Sequence, residues 1–251
     1  MKSLSISAAW QESSLFLRRE ISLLLPVALL FIGVPMAALF QAIPPSLRQI
    51  TPGQGVPEVD MSFAAILVLF LAPLAMIGGM LTLYALALKP GVSVQEAMRH
   101  AVRRVPVALG ATLLLGAVLM APMAFAMAGP AGSLVFLVAV ILLSARLMAL
   151  NAVVTDQPVG PIAALRESWL LARGHTLRLV AFMLLLSVPV MVAQIVAQAL
   201  MGLIGFAIGG QEAAQQFGDF GTAMATAVGQ LIMVVMTSRL YRQMLALRLK
   251  K

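Results

Sequence analysis

The chain contains no cysteine, which excludes disulfides, thiolate metal sites and cysteine nucleophiles. Charge is scarce: Asp, Glu, Lys and Arg make up 10% of the residues, against 61% hydrophobic. Soluble domains carry about a quarter charged residues, and a soluble chain of 251 residues has no means of hiding this much apolar surface. The signatures HExxH, GxSxG and the phosphate-binding P-loop are missing, and no pair of carboxylates falls within the apolar stretches. Both histidines, His100 and His175, stand apart from the methionine-rich stretches, so a thioether copper site is not expected either. The formal charge of +8 invites a nucleic-acid partner. The basic residues lie beside apolar stretches rather than on a domain of their own, so none is expected. What remains is an integral membrane protein, a single membrane domain over residues 1–251 with no catalytic residue, metal or cofactor expected.

Six apolar runs reach the roughly 20 helical residues that cross a hydrocarbon core of about 30 Å. They are Ile21–Ile43, Met61–Leu88, Val105–Gly129, Gly132–Val154, Leu177–Gly205 and Phe220–Met244. The runs are continuous rather than alternating, which predicts helices and an all-α polytopic fold instead of a barrel. The fifth run is overlong and is expected to tilt or break near Pro189. Lys2 leads into a mixed polar and apolar stretch, and no cleaved signal peptide is expected.

Basic residues set orientation. Of the 17 Lys and Arg, only Arg48 falls on the opposite side from the rest. The first outer connection carries Glu58 and Asp60, and the last carries Glu212 and Asp219. Both ends of the chain are therefore expected in the cytoplasm.

An amphipathic, basic-ended segment precedes every second run. The copies centre on Glu12, Glu96 and Glu167, each followed by a small residue, and each leads into a proline: Pro35, Pro122 and Pro189. The predicted layout is three hairpins, each preceded by a cytoplasmic amphipathic interfacial helix, in pseudo-repeats of about 5–88, 92–154 and 161–245. A simpler reading is also open, since any inside-out hairpin needs a basic start.

In the second copy Val94, Ala97, Met98, Ala101 and Val105 form an apolar stripe, expected to face acyl chains, with Glu96, Arg99, His100 and Arg103 opposite. In the third, Ile162, Leu165, Trp169 and Ala172 make the stripe. Trp10 and Trp169 are the only tryptophans, and both sit in these segments, where indole prefers the oil–water boundary. Arg99, Arg103, Arg104, Arg166 and Arg173, with the two tryptophans, are the candidate contacts to lipid headgroups. Two readings fit: recognition of anionic lipid, at about 1 kcal/mol per basic residue, or plain anchoring.

Within the spans, Gln194 and Gln198 share one helical face and Gln230 lies midway along the sixth run. They read either as hydrogen-bonding glue between helices or as the lining of a polar path. Arg146 and Arg239 are expected to snorkel to the inner boundary, with Asp156 near enough to pair with Arg146. Gly205-Phe-Ala-Ile-Gly209 and Ala225–Gly229 carry the small-xxx-small spacing that lets helices approach.

The stretch from Ser144 to Leu185 includes Val153-Val-Thr-Asp156, Gly160-Pro161 and the Ala-Leu-x-x-Ser-Trp-x-Leu-x-x-Gly pattern at 164–174. It resembles the membrane domain attached to some bacterial glycerophosphodiester phosphodiesterases, which related inner-membrane proteins share. The resemblance covers about 40 residues and implies a bacterial inner-membrane location. The phosphodiesterase of that family is a separate soluble domain, so no catalytic residue carries over. The expected function is a non-enzymatic lipid-interacting or complex-associated scaffold, with membrane lipids, anionic ones in particular, and another membrane protein or complex as partners. The alternative is a small-molecule transporter or channel with a polar site in the fifth and sixth spans.

Overall fold

The structure is a computed structural model and describes residues 4–43, 61–126 and 129–249. Arg48, Glu58, Asp60, Lys2 and the final two lysines lie outside the described residues. Among the described residues the fold is all-helical. Five helical stretches among these residues are long and apolar enough to cross a membrane.

The first stretch runs from α1 (Ile6–Ala28) through a π-helical turn at Leu29–Gly33 into α2 (Val34–Ala42). Ser5 opens it, its hydroxyl accepting from the Ala8 amide at 3.2 Å. The π turn stands immediately before Pro35, whose missing N–H removes a donor from the regular ladder; the Val34 amide instead reaches Leu29 O. This bulge leans on α3 (Phe63–Leu88), where a Cβ added at Gly79 would stand 2.5 Å from that of Phe31. Helix α4 (Val94–Ala126) follows, then α5 (Pro130–Leu147), which starts directly after the left-handed Gly129. Short α6 (Leu150–Asp156) and α7 (Pro161–Ala172) come next. The last stretch, Thr176–Arg248, is folded at Gly209 and Gly210 (φ 72, ψ −153) into two antiparallel helices, α8 (176–208) and α9 (211–248).

Burial is graded along the bundle. On α3, Phe63 is 75% and Phe70 71% exposed, whereas all eight residues from Leu81 to Leu88 are buried. The same end holds buried Ala152–Thr155 of α6 and Val234–Ser238 with Leu240 and Tyr241 of α9. The packed core thus sits at the end where the basic segments gather. A helix apolar on every side is content only inside protein or lipid, so the open apolar flanks of α3, α4, α5 and α8 suit lipid contact.

Four expectations need correction. The first two amphipathic segments are not separate helices. Ile6–Ala42 is one run of 37 residues, about 55 Å at 1.5 Å per residue, and Val94 continues unbroken into α4 through Pro106. No Gly or tight turn stands between segment and span there, whereas Gly174 (φ +85) ends α7 and makes the third segment discrete. The stripe of the second copy faces protein, not acyl chains: Ala97 and Ala101 are 0% and 1% exposed. Alanine is small enough for close helix contact, which lipid does not need. The fourth run breaks at Met148–Ala149, so α5 ends at Leu147. Finally, the connection of about 14 residues expected between the last two spans is two residues, because both helices extend to meet at Gly209–Gly210.

Candidate functional site

The residue after each repeat glutamate marks where a basic segment meets its neighbours. Ser13, Ala97 and Ser168 are 2%, 0% and 0% exposed. A small side chain at this position lets the segment lie close against the inner end of another helix. Ser168 Oγ donates to the Arg146 carbonyl at 3.3 Å, and the Arg146 guanidinium lies over the Trp169 ring, 4.7 Å from its centroid. Arg239 of α9 stacks in the same way on Phe16 of α1, at 4.6 Å. Neither arginine therefore depends on snorkelling alone. Each stack contributes about 0.5–2 kcal/mol, rising as water is excluded.

Further polar contacts tie this end together. The Ser5 amide donates to Gln243 Oε1 at 3.1 Å, joining the start of the chain to its last helix. Arg242 donates to the Leu88 carbonyl, and Arg248 pairs with Glu167. His100 Nε2 donates to the Thr155 carbonyl at 2.8 Å, with Lys89 Nζ 3.3 Å from the same nitrogen. Glu96 closes a capping box, accepting from the Ser93 amide (3.1 Å) and hydroxyl (3.0 Å). Those hydrogen bonds hold its carboxyl below the ordinary carboxylate range. Asp156, expected beside Arg146, instead accepts from the Tyr241 hydroxyl at 2.8 Å, and that oxygen accepts from Gln157 Nε2 at 3.2 Å. The break at Met148–Ala149 redirects α6 toward α9 and carries the acid with it.

This cluster was not legible in advance, since its members lie 84 and 85 positions apart. Replacing Tyr241 with Phe is expected to cost about 1.5–3 kcal/mol, because the hydrogen bond to a carboxylate is lost. Tyr84→Phe, which loses only a contact to Thr237, is expected to cost about 1 kcal/mol. Thermal unfolding in detergent compares the two; equal losses would remove the role of the Asp156 charge.

The headgroup candidates all gather at this end. Arg99 and Arg103 on α4 and Arg166 and Arg173 on and after α7 are exposed, and Arg104 is half-buried. Among the described residues, no carboxylate bridges to any of the five. Trp10 and Trp169 are 54% and 42% exposed.

The intramembrane amides divide. Antiparallel packing of α8 on α9 brings Gln194 to Thr226, whose hydroxyl accepts from Gln194 Nε2 at 2.9 Å. Gln194 and Gln230 line one cleft of about 330 Å³ with Ser187 and Thr226. Gln198 does not join them; it is exposed, and its backbone lies against Gly218 nearer the turn. Thr226 was missed by the sequence reading; it sits one helical turn before Gln230, a spacing that marks it as a neighbour on the same face. No family model, curated protein or solved structure matches this chain.

Proposed function

We propose that this chain is a non-enzymatic, multi-pass protein of a bacterial inner membrane whose basic end faces the cytoplasm and holds anionic lipid headgroups. In this reading the six spans form three hairpins, and the arginine-bearing segments lie at the inner boundary, where a partner membrane protein or complex also docks. The likeness of residues 144–185 to the phosphodiesterase-associated membrane domain belongs to the same proposal. The observation that carries it is the set of five arginines with no bridging carboxylate among the described residues, alongside two part-exposed indoles at the same end. Guanidiniums without a bridging carboxylate and boundary-seeking indoles suit phosphate groups on one side and glycerol backbones on the other.

Arg99, Arg103 and Arg104, changed together to Gln, test the reading. At about 1 kcal/mol each, their loss removes about 3 kcal/mol, close to a hundredfold in affinity. Native mass spectrometry of wild type and variant, each titrated with phosphatidylglycerol or phosphatidylcholine, is expected to show this loss for the anionic lipid alone. Equal retention of both lipids by the wild type rejects the proposal and leaves the arginines as anchors. A second reading, a small-molecule transporter or channel, is favoured by the cleft at Gln194 and Gln230.

A further inference from the structure

The cleft between α8 and α9 has a chemistry that neither packing nor headgroup binding uses. It lies near the middle of the hairpin: Gln194 is 18 residues after Thr176 and 14 before Ile208. Its walls are mostly apolar, Leu186, Val190 and Met233 among them, and none of its lining residues is charged. Its volume of about 330 Å³ falls at the small end of the range for ligand pockets of about 300–1,000 Å³, and the pattern of apolar walls with a few polar groups is also theirs.

The polar groups are only partly satisfied. Thr226 commits its hydroxyl proton to the Thr222 carbonyl at 2.7 Å, so its oxygen can only accept, and it accepts from Gln194 Nε2. That fixes the Gln194 amide with its carbonyl oxygen left over. Gln230 makes no hydrogen bond with any described residue. Two amide ends therefore face a space where the surroundings are hydrocarbon and water is not at hand to serve them. Pro189, beside the cleft, also deprives the Leu185 carbonyl of its regular helical donor.

We propose that this cleft binds a neutral, lipid-soluble molecule with a compact carbonyl- or hydroxyl-bearing head, entering sideways from the bilayer. The absence of charge in the lining excludes phosphate and carboxylate heads, whose desolvation nothing here offsets. Lateral entry follows from the exposed rim: Val188 and Met191, both lining residues, are 59% and 57% exposed on the lipid-facing side of α8. The Gln230 amide donates to a head carbonyl, as of a quinone, and the Gln194 carbonyl accepts from a hydroxyl where the head carries one, while a hydrocarbon tail remains among the lipids.

The site stands apart from the headgroup reading, since no arginine lines it, so failure of either leaves the other standing. Equilibrium binding of radiolabelled decylubiquinone to the full chain in nanodiscs, corrected with empty nanodiscs, tests it. One saturable site per chain is expected. Gln194→Leu with Gln230→Leu is expected to weaken binding at least tenfold. Val188→Trp, which crowds the rim and leaves both amides in place, is expected to do the same. Absence of saturable binding by the wild type, or unchanged binding by both variants, overturns the proposal. Because the chain has no cysteine, Met233→Cys on the cleft wall supplies a unique thiol and leaves both amides in place. It is expected to react with a lipid-soluble maleimide, more slowly when decylubiquinone is saturating. Quantitative disulfide-linked dimers through Cys at that position would instead assign the cleft to a second copy of the chain and overturn the proposal.

Discussion

Leu83→Ala is expected to destabilise the protein by about 2 kcal/mol, while Leu71→Ala, three turns earlier on the same helix, is expected to change stability by less than about 0.5 kcal/mol. Leu83 is 0% and Leu71 58% exposed. In a soluble protein a buried Leu→Ala change loses both transfer energy and packing, about 2–5 kcal/mol together. Lipid is as apolar as leucine, so the transfer part largely disappears and the cavity part remains. Reversible unfolding in mixed micelles measures both variants. Equal effects would mean that the packed end of α3 is no better packed than its open end. The contrast therefore tests the burial gradient itself, on which the placement of the basic site depends.

Gly205→Val is expected to be as damaging, and by the opposite route. A Cβ at Gly205 would lie 2.4 Å from the Ala213 carbonyl oxygen, and one at Gly221 would lie 2.6 Å from that of Ala197. Both obstacles are backbone, so no side-chain rotation relieves them. The hairpin has to separate, at a cost of about 1–3 kcal/mol for overpacking, and the Gln194–Thr226 hydrogen bond stretches with it. Gly116→Val is the matched control, since nothing lies within 4 Å of a Cβ there. Cysteine pairs placed across α8 and α9 report the separation directly. Retained cross-linking in Gly205→Val, at wild-type stability, would refute the close approach.

Much of this hairpin was legible beforehand. The spacing of Gly205, Ala225 and Gly229 pointed to close helix contact, and Gly229 does meet Val190, where a Cβ would come within 2.6 Å. Gly209, four residues past the end of the fifth run, belongs to the turn rather than the contact face. The antiparallel register was not legible. It depends on Gly218 and Gly221 lying opposite Gln198 and Ala197, and the polar residues between Gln211 and Asp219 read as loop. The register in turn decides that Gln194 meets Thr226 while Gln198 does not enter the cleft.

At the basic end the sequence marked where the basic segments lie and left their contacts within the fold open. The small residue after each glutamate was visible, but an alanine or serine stripe serves a lipid-facing helix and a protein-facing one equally well. Ala97 and Ala101 turn out to be buried, while Ile162, on the third copy, is 72% exposed. Arg146 and Arg239 were readable as boundary residues; their stacking on Trp169 and Phe16 required contacts between segments far apart in the chain.

The order of residues along the chain by itself determined that it forms long apolar helices with its arginines gathered beside them, because continuous apolar runs with so little charge satisfy the backbone in hydrocarbon as helices, whereas a barrel needs alternation. Tertiary structure alone decided which side of each helix meets protein, where α6 turns Asp156 toward Tyr241, and which two of the three amides share a cleft. The physical reason is that lipid and protein interior are nearly the same solvent for an apolar side chain. Hydrophobicity therefore places a helix in the membrane, and only close packing and a few hydrogen bonds choose its neighbours.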